Sequence, residues 1–166
     1  MADVQLRMLQ DEDLDPLFEM MRDPVAVKMA AFTPPDPDDR AAFDRRQARV
    51  RAWPEAENRA VTVDGRFVGT IASFLMEGDT EITYWIDRRW WGQGVASRAV
   101  SLFLSEVAVK RPLLARAASD NAGSLAVLRK AGFRELGRAV GFADAGKPRS
   151  RRPSSASNEE IPTARG

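Results

Sequence analysis

The sequence predicts a single α+β domain in which helices flank a mixed, mostly antiparallel sheet. Two observations predict this fold class. Three consecutive strand patterns between Arg59 and Asp87 form an antiparallel meander, and the chain then passes through the turn Gly92-Gln93-Gly94 into a helix, a strand and a second helix. A doubly wound dinucleotide-binding fold alternates strands and helices from its start, so the meander argues against that fold.

Length and composition set the limits of this domain. The chain has 166 residues, enough for one domain with its own core, and a net charge of +1, so we expect neither nucleic acid nor a membrane as a partner. It has no cysteine and no histidine. Disulfides, thiolate nucleophiles and the usual transition-metal ligands are thereby excluded, and no metal is expected. Catalysis would use carboxylates, hydroxyls, backbone dipoles, lysine or the single tyrosine, Tyr84.

The ends and the hydropathy of the chain predict its location. The N-terminus lacks a basic segment followed by an apolar run, which argues against a signal peptide. Nowhere does the sequence approach the roughly 18 apolar residues that a membrane helix needs. We therefore expect a cytoplasmic protein, as a monomer or a homodimer.

The N-terminal elements are predicted from apolar spacing and prolines. A strand covers Val4–Leu9, a short helical turn lies near 25–30, and a long helix runs from Asp38 to about Trp53. Arginines cover the outer face of the long helix, which we interpret as solvated, with a wall for an acidic substrate or a phosphate as the alternative. The first helix carries apolar residues at one-face spacing, namely Leu14, Leu17, Phe18 and Met21.

A hairpin and a third strand are predicted in the middle of the chain. The strands Arg59–Val63 and Phe67–Phe74 flank Asp64-Gly65-Arg66, and Asp-Gly favours the primed turns that match the twist of paired strands. The third strand covers Glu81–Asp87 and completes the meander.

After the glycine turn, helices and strands alternate. The last helix is capped by Asp120 or Asn121, and Gly132 ends it in the left-handed conformation. The predicted ranges are a helix over Val95–Val107, a strand over Leu113–Ala117, a helix over Ala122–Ala131 and a strand over Phe133–Val140.

The last part of the chain has a different composition. Residues 147–166 are polar, basic and rich in serine and proline. Such a segment buries too little apolar surface to offset the entropy of ordering it, so we predict a disordered tail that follows a domain over residues 1–146.

The turn before the first of these helices has the properties of a phosphate-binding loop. Gly92 and Gly94 let the backbone turn sharply and approach a ligand closely. The amides of Gln93, Gly94, Val95 and Ala96 lie at the helix start, where the helix dipole favours an anion. A glycine pair before a helix is also typical of a packing turn, so this motif alone does not identify a ligand.

Four motifs in fixed order carry a resemblance to a known family. They are Tyr84-Trp85-Ile86, Trp91-Gly92-Gln93-Gly94-Val95-Ala96, Asn121 with Ser124, and Lys130-Ala131-Gly132-Phe133. In this order and spacing, they resemble the acyl-CoA signature of GNAT-type N-acetyltransferases, in the branch of the RimJ/RimL ribosomal-protein acetyltransferases. The resemblance covers residues from about 4 to 142.

The resemblance implies the GNAT acyl-CoA N-acyltransferase fold, with a sheet splayed between the strands Glu81–Asp87 and Leu113–Ala117. Acetyl-CoA would lie in the cleft as co-substrate, its pantetheine arm adding to the strand backbone at Trp85 and Ile86. Asn121 would bond the pantetheine region, and Ser124 would lie near the sulfur. The implied binding residues are Trp85, Ile86, Trp91, Gly92, Gln93, Gly94, Val95, Ala96, Asn121 and Ser124.

The resemblance also implies direct attack of a primary amine on the thioester. A backbone amide, that of Ile86, would stabilise the oxyanion. Glu81 is the first candidate for the base, acting directly or through water, and Asp87 is the second, since the two share a strand face. An ordinary surface role is the alternative for both carboxylates. Ser124 is the candidate donor to the leaving thiolate.

Two departures from the family pattern keep other functions open. Leu128 occupies the position where many GNAT enzymes have a tyrosine that acts as general acid to the leaving thiolate. Only one clear strand follows Phe133, where the family has a closing pair of strands. The alternative to catalysis is a non-catalytic acyl-CoA-binding or regulatory module, and a different nucleotide-binding protein is a third hypothesis. The expected acceptor is a small-molecule amine, such as an aminoglycoside-like compound, or a protein N-terminus.

Overall fold

The structure of the chain is a computed structural model that describes residues 2–29, 36–76, 78–107, 113–118, 121–135, 137–140, 142–144, 147–148 and 157–162. Its helices are α1 (Leu14–Met21), α2 (Pro24–Met29), α3 (Arg40–Ala52), α4 (Val95–Glu106) and α5 (Ala122–Lys130). Its strands are β1 (Val4–Met8), β2 (Glu57–Val63), β3 (Arg66–Met76), β4 (Asp79–Ile86), β5 (Leu113–Ala118), β6 (Gly137–Val140), β7 (Phe142–Asp144), β8 (Lys147–Pro148) and β9 (Ser157–Pro162). Two 3₁₀-helices cover Asp11–Asp13 and Arg88–Trp90.

The main sheet has the strand order β1-β2-β3-β4-β5-β9-β6, and β7 pairs with β8 separately. Strands β4 and β5 are parallel, while the other neighbours in the main sheet are antiparallel. The prediction of a mixed, mostly antiparallel sheet with flanking helices is therefore confirmed.

The predicted hairpin is present between β2 and β3. Asp64 and Gly65 have φ angles of 49° and 82°, the left-handed conformation that both central residues of a type I′ turn need. Aspartate is among the few residues besides glycine that adopt this conformation. The Oδ1 of Asp64 also accepts the backbone N–H of Asp3 at 3.0 Å, which ties the turn to the residue before β1.

The sheet is splayed between β4 and β5. Their pairing covers only Thr80–Ile82 against Leu113–Ala115. Beyond Ile82, towards the carboxyl ends, the described residues of the two strands no longer pair. This leaves the remainder of β4 with an edge open to a ligand.

The two faces of the sheet carry separate apolar clusters. The larger cluster packs α4 and α5 against the sheet around Ile71, Ile82 and Phe103. The smaller cluster joins α1 and α3 on the other face. Within it, the rings of Phe18 and Phe43 meet edge to face at 5.3 Å. The predicted core spacing of α1 is confirmed at these positions.

Two arginines of α3 pair with acidic residues. Arg40 pairs with Asp15 and Asp44, and Arg51 pairs with Asp11 at 2.6 Å. These are exposed pairs, which contribute little to stability individually. The solvated interpretation fits these two arginines, whereas burial lowers the pKa of Arg46 on the same helix.

Residues 147–166, for which we predict a disordered tail, include two strands among the residues that the structure describes. Lys147–Pro148 and Ser157–Pro162 are strands, and β9 lies between β5 and β6 in the main sheet. β9 therefore also completes a closing antiparallel pair with β6, which the sequence did not predict. The physical reason is that backbone pairing along the open edge of β5 needs no apolar composition. Residues 149–156 and 163–166 of the predicted tail lie outside the described residues.

Candidate active site

A cavity of about 1000 Å³ occupies the splay between β4 and β5. Its wall combines the β4 strand, the turn before α4, the start of α5 and part of α2. The residues of the predicted site that line it are Glu81, Trp85, Ile86, Trp91, Gly92, Gly94, Val95, Ala96, Asn121 and Ser124. Three of the four sequence motifs, which lie far apart in the chain, thus meet in one place, while Lys130-Ala131-Gly132-Phe133 is outside the described cavity residues.

The open edge of β4 faces this cavity with its backbone. The amide of Asp87 donates to the carbonyl of Val68 at 2.8 Å, so odd positions of β4 bond to β3. By the alternation of an antiparallel ladder, the backbone groups of Tyr84 and Ile86 point the other way, towards the splay. The carbonyl of Ile86 accepts the indole N–H of Trp91 at 2.8 Å, which fixes the turn onto the strand.

Gly69 holds β3 unusually close to this part of β4. A Cβ at residue 69 would collide with the backbone carbonyl of Trp85. Only glycine allows this approach, so the position of the cleft edge depends on a residue that has no side chain.

The turn before α4 presents backbone amides to the cavity. Gly94 is the N-cap of α4 with φ 79°, and its carbonyl accepts the first helical bond from Arg98 at 3.0 Å. The amides of Val95, Ala96 and Ser97 precede that bond, so they have no partner within the helix, and all three residues line the cavity. This is the geometry by which a helix start binds an anion.

Gln93 differs from the other predicted binding residues. Its side-chain Nε2 turns back to the carbonyl of Arg89 at 3.0 Å, and Gln93 is outside the set of described residues that line the cavity. Its structural contribution is to brace the turn between the 3₁₀-helix and α4.

Asn121 connects the start of α5 to α2. Its Oδ1 accepts the amide of Ser124 at 3.1 Å, so Asn121, and not Asp120, is the N-cap residue. Its Nδ2 donates to the carbonyl of Met29 at 3.0 Å. One side chain thus joins the motif that resembles a coenzyme A site to a helix from the N-terminal third of the chain.

Ser124 has a partner that the sequence analysis did not assign to the site. The hydroxyl oxygens of Tyr84 and Ser124 are 2.7 Å apart, and both residues line the cavity. Burial raises the pKa of the Tyr84 phenol, and the hydrogen bond with Ser124 only partly offsets that effect. The sequence held a signal for this role of Tyr84. It is the single tyrosine, and by the period of two it shares a strand face with the core residues Ile82 and Ile86.

Glu81 lies in the cavity wall on the opposite face of β4 from Tyr84. Its side chain is 15% exposed, and its Oε1 lies 3.1 Å from Nη2 of Arg116 on β5. Phe74 is its partner on β3 and stacks on Trp53 with ring centroids 5.8 Å apart. Glu81 therefore combines access to the cavity with a fixed orientation.

Asp87 is engaged elsewhere. Its carboxylate accepts the backbone N–H of Arg89 at 3.0 Å and pairs with the guanidinium of the same residue at 2.6 Å. Burial acts to raise the pKa of Asp87, but the hydrogen bonds from Arg89 outweigh burial and lower that pKa. Asp87 is outside the set of described cavity residues, so its position favours a capping role over that of a base.

The residues on the acceptor side of the cavity were the ones that sequence patterns missed. Ala26 and Met29 of α2, Phe74 of β3 and Arg116 of β5 all line it. They come from three separate parts of the chain and share no motif. Only the folded arrangement of α2 over the sheet brings them to Glu81.

Two properties of the described residues bear on membranes and metals. No described helix has the length and apolarity to cross a membrane. The part of the chain that the structure describes holds no group of three or more acidic side chains arranged to bind a metal ion.

Comparisons by sequence identify one family. A family model described as the acetyltransferase (GNAT) domain matches residues 3–134. A comparison with curated proteins finds no match.

Solved structures share the fold across nearly the whole chain. RimJ of Mycobacterium smegmatis in complex with CoA-disulfide has a TM-score of 0.74 at 20% identity, over 96% of this chain and 80% of that chain. Spermidine N-acetyltransferase of Vibrio cholerae in complex with CoA and spermine has a TM-score of 0.74 at 14% identity, over 95% and 93%. Aminoglycoside acetyltransferase AAC(6')-Ib in complex with coenzyme A has a TM-score of 0.70 at 16% identity, over 98% and 95%. The predicted fold is thereby confirmed.

Proposed function

Because the chain belongs to the GNAT acetyltransferase family, we propose that it transfers the acetyl group of acetyl-CoA to a primary amine by direct attack on the thioester. One observation carries the proposal. The cavity in the splay joins an anion-binding helix start at one end to a carboxylate, Glu81, at the other. A diphosphate and an ammonium group would thus meet complementary groups in the same cleft.

Acetyl-CoA would bind through backbone groups. We propose that the amides at the start of α4 hold the pyrophosphate and that the open edge of β4 around Tyr84 pairs with the amide groups of the pantetheine arm, which leaves the N–H of Ile86 for the thioester. Similar solved structures contain coenzyme A or its disulfide, which supports this choice of donor.

The chemistry would then follow from three groups on β4 and α5. Glu81, oriented by Arg116, would take a proton from the substrate ammonium group, directly or through water, so that the neutral amine attacks the thioester. The N–H of Ile86 points into the splay and would stabilise the oxyanion. Ser124 would donate a hydrogen bond to the departing thiolate. Asp87 is a weaker candidate for the base because Arg89 already occupies its carboxylate.

The proposed acceptor is a small-molecule amine or a protein N-terminus. Two of the similar structures are a spermidine N-acetyltransferase and an aminoglycoside acetyltransferase, both of which name amine acceptors. The acceptor would enter beside Met29 and Phe74, between α2 and the sheet.

A non-catalytic acyl-CoA-binding module is the second candidate. One observation favours it: Leu128 is 1% exposed in the core, so this position of α5 supplies no acid. Both candidates predict acetyl-CoA binding, and they differ in turnover.

The test has two stages. Acetyl-CoA is expected to raise the melting temperature of the full chain, whereas ATP and NAD are not. Release of free CoA thiol is then measured with polyamines, aminoglycosides, amino acids and peptides with a free N-terminus. Amine-dependent release that Glu81→Gln strongly reduces supports the enzyme; stabilisation by acetyl-CoA without turnover on any amine supports the binding module.

A further inference from the structure

The hydroxyls of Tyr84 and Ser124 meet at the junction of β4 and α5. We propose that Tyr84 is a positioning residue for the leaving group: it donates a hydrogen bond to Ser124, so that Ser124 directs its own hydroxyl hydrogen at the sulfur of the departing thiolate. This inference rests on the proposed acetyl transfer and assigns a role to the side chain of Tyr84, which the predicted set of site residues did not include.

The geometry of the pair allows either hydroxyl to be the donor, and the proposal assigns that role to Tyr84. The two oxygens are 2.7 Å apart, the usual distance for a hydroxyl pair. Each hydroxyl has one hydrogen to donate. When Tyr84 gives its hydrogen to Ser124, the hydrogen of Ser124 is left for a group in the cavity, which both residues line.

The surroundings of the two residues differ in a way that fits these roles. The ring of Tyr84 packs against the apolar cluster under α4 and α5. Ser124 sits in the first turn of α5, held by the bond from its amide to Asn121. The core therefore anchors the ring of Tyr84, the first turn of α5 anchors Ser124, and both hydroxyl-bearing residues line the cavity.

The protonation state of Tyr84 suits a permanent donor. Burial raises its pKa above the ordinary value of a phenol, more than the hydrogen bond with Ser124 lowers it. The phenol therefore keeps its proton across the neutral range. Two linked hydroxyls polarise each other, so the Ser124 hydrogen bond is stronger than that of an isolated serine.

The reaction step balances without a proton leaving Tyr84. The amine nitrogen forms a bond to the acetyl carbon, and the carbon–sulfur bond breaks with its electron pair on sulfur. The Ser124 hydrogen bond stabilises that charge, the ammonium proton passes to Glu81, and the thiolate takes a proton from solvent after release. Tyr84 keeps its proton throughout, so it does not have to be reprotonated between turnovers.

The test compares Tyr84→Phe, Ser124→Ala and the double variant with the wild type in single-turnover acetyl transfer. Each single variant is expected to lower the rate about tenfold to a hundredfold, the range for a hydrogen bond to a charged group. In the Ser124→Ala background, Tyr84→Phe is expected to have almost no further effect, because the two hydroxyls act as one unit. Melting temperature and stabilisation by acetyl-CoA check that Tyr84→Phe folds and binds as the wild type does.

A second readout separates this role from general packing. An acetyl thioester of an aromatic thiol with a low pKa needs little help for its leaving group, so the effect of Tyr84→Phe is expected to shrink towards unity with that donor. Equal losses with both donors, additive losses in the double variant, or wild-type transfer rates in Tyr84→Phe would each overturn the inference. Absence of amine-dependent transfer in the wild type would instead overturn the proposed function.

Discussion

The two halves of the cavity are built from different parts of the polypeptide. The cofactor half, defined as the open edge of β4 and residues 90–97, presents mainly backbone groups, with Gly94 at φ 79° aiming the helix start. The acceptor half, defined as Glu81, Arg116, Phe74 and α2, presents side chains from distant elements. A backbone site can keep its ligand while side chains vary, whereas a side-chain site changes its ligand with each substitution. Under the proposed function, the cofactor half would therefore carry the chemistry that the family shares, and the acceptor half would determine the specificity.

The largest expected effect tests the acceptor half. Glu81→Gln removes the proposed base and should lower the acetyl-transfer rate about a hundredfold or more, while stabilisation by acetyl-CoA stays unchanged. Glu57→Gln is the matched control, since Glu57 also pairs with an arginine, Arg59, but lies outside the described cavity residues. Wild-type turnover in Glu81→Gln would remove Glu81 from the mechanism.

The next effect tests the cofactor half. Gly94→Ala forces a Cβ into the left-handed region, at a cost of about 1–2 kcal/mol of stability, and should also weaken acetyl-CoA binding. A Cβ there meets no protein atom within 4 Å, so loss of affinity beyond the strain would report contact with the ligand. Titration of acetyl-CoA by calorimetry measures it.

The hairpin turn supplies the control for Gly94. Gly65 has φ 82° and an equally open Cβ position, but it lies in the turn between β2 and β3. Gly65→Ala should cost similar stability and leave acetyl-CoA affinity intact. If both variants lost affinity equally, the cofactor half would not depend on its glycine geometry.

A smaller effect tests the link between the halves. Asn121→Ala removes the cap of α5 and the bond to Met29, and should cost about 1 kcal/mol of unfolding free energy while weakening both acetyl-CoA binding and turnover. Asp39→Ala is matched, because Asp39 caps α3 through the amide of Ala42 and is outside the described cavity residues. Denaturant unfolding and turnover are measured on both. A purely structural loss in Asn121→Ala would show that the halves are independent.

The smallest functional effect is expected outside both halves. Burial acts to raise the pKa of Asp13, but hydrogen bonds from Arg7 and the Gln10 amide outweigh it and lower that pKa. The stabilisation is therefore complete above the unfolded-state pKa of about 4 and is lost as pH falls through the lower folded value. Asp13→Asn should lower the free energy of unfolding by about 1 kcal/mol at neutral pH, with turnover unchanged. It should also flatten the acid limb, which is the fall of the melting temperature as the pH decreases. An unchanged acid limb would contradict this assignment.

Local chemistry was predictable from the sequence, and long-range pairing was not. The turn at Asp64 and Gly65, the cap at Asn121 and the glycine-led start of α4 follow from residues that act on their own neighbours. The contacts of Tyr84 with Ser124 and of Asn121 with Met29 join residues 40 and 92 positions apart, which no local pattern encodes.

The end of the chain gives the same lesson for the sheet. Composition predicted disorder for residues 147–166, yet β9 pairs with β5 through backbone groups that every residue except proline carries in full. Low apolar content predicts that a segment cannot form a core alone. It does not predict whether an open strand edge elsewhere will bind that segment.

Tryptophan is distributed so that the cleft reports on its own occupancy. Of the four tryptophans, Trp85, Trp90 and Trp91 line the cavity, and Trp53 stacks on the cavity residue Phe74. The emission of all four indoles is therefore sensitive to polarity and quenching within the cleft. Tryptophan emission, excited near the red edge of indole absorption, would therefore follow the association of donor and acceptor in real time without an attached dye. The hydrogen bond of Trp91 to the Ile86 carbonyl distinguishes the environment of that indole from the other three.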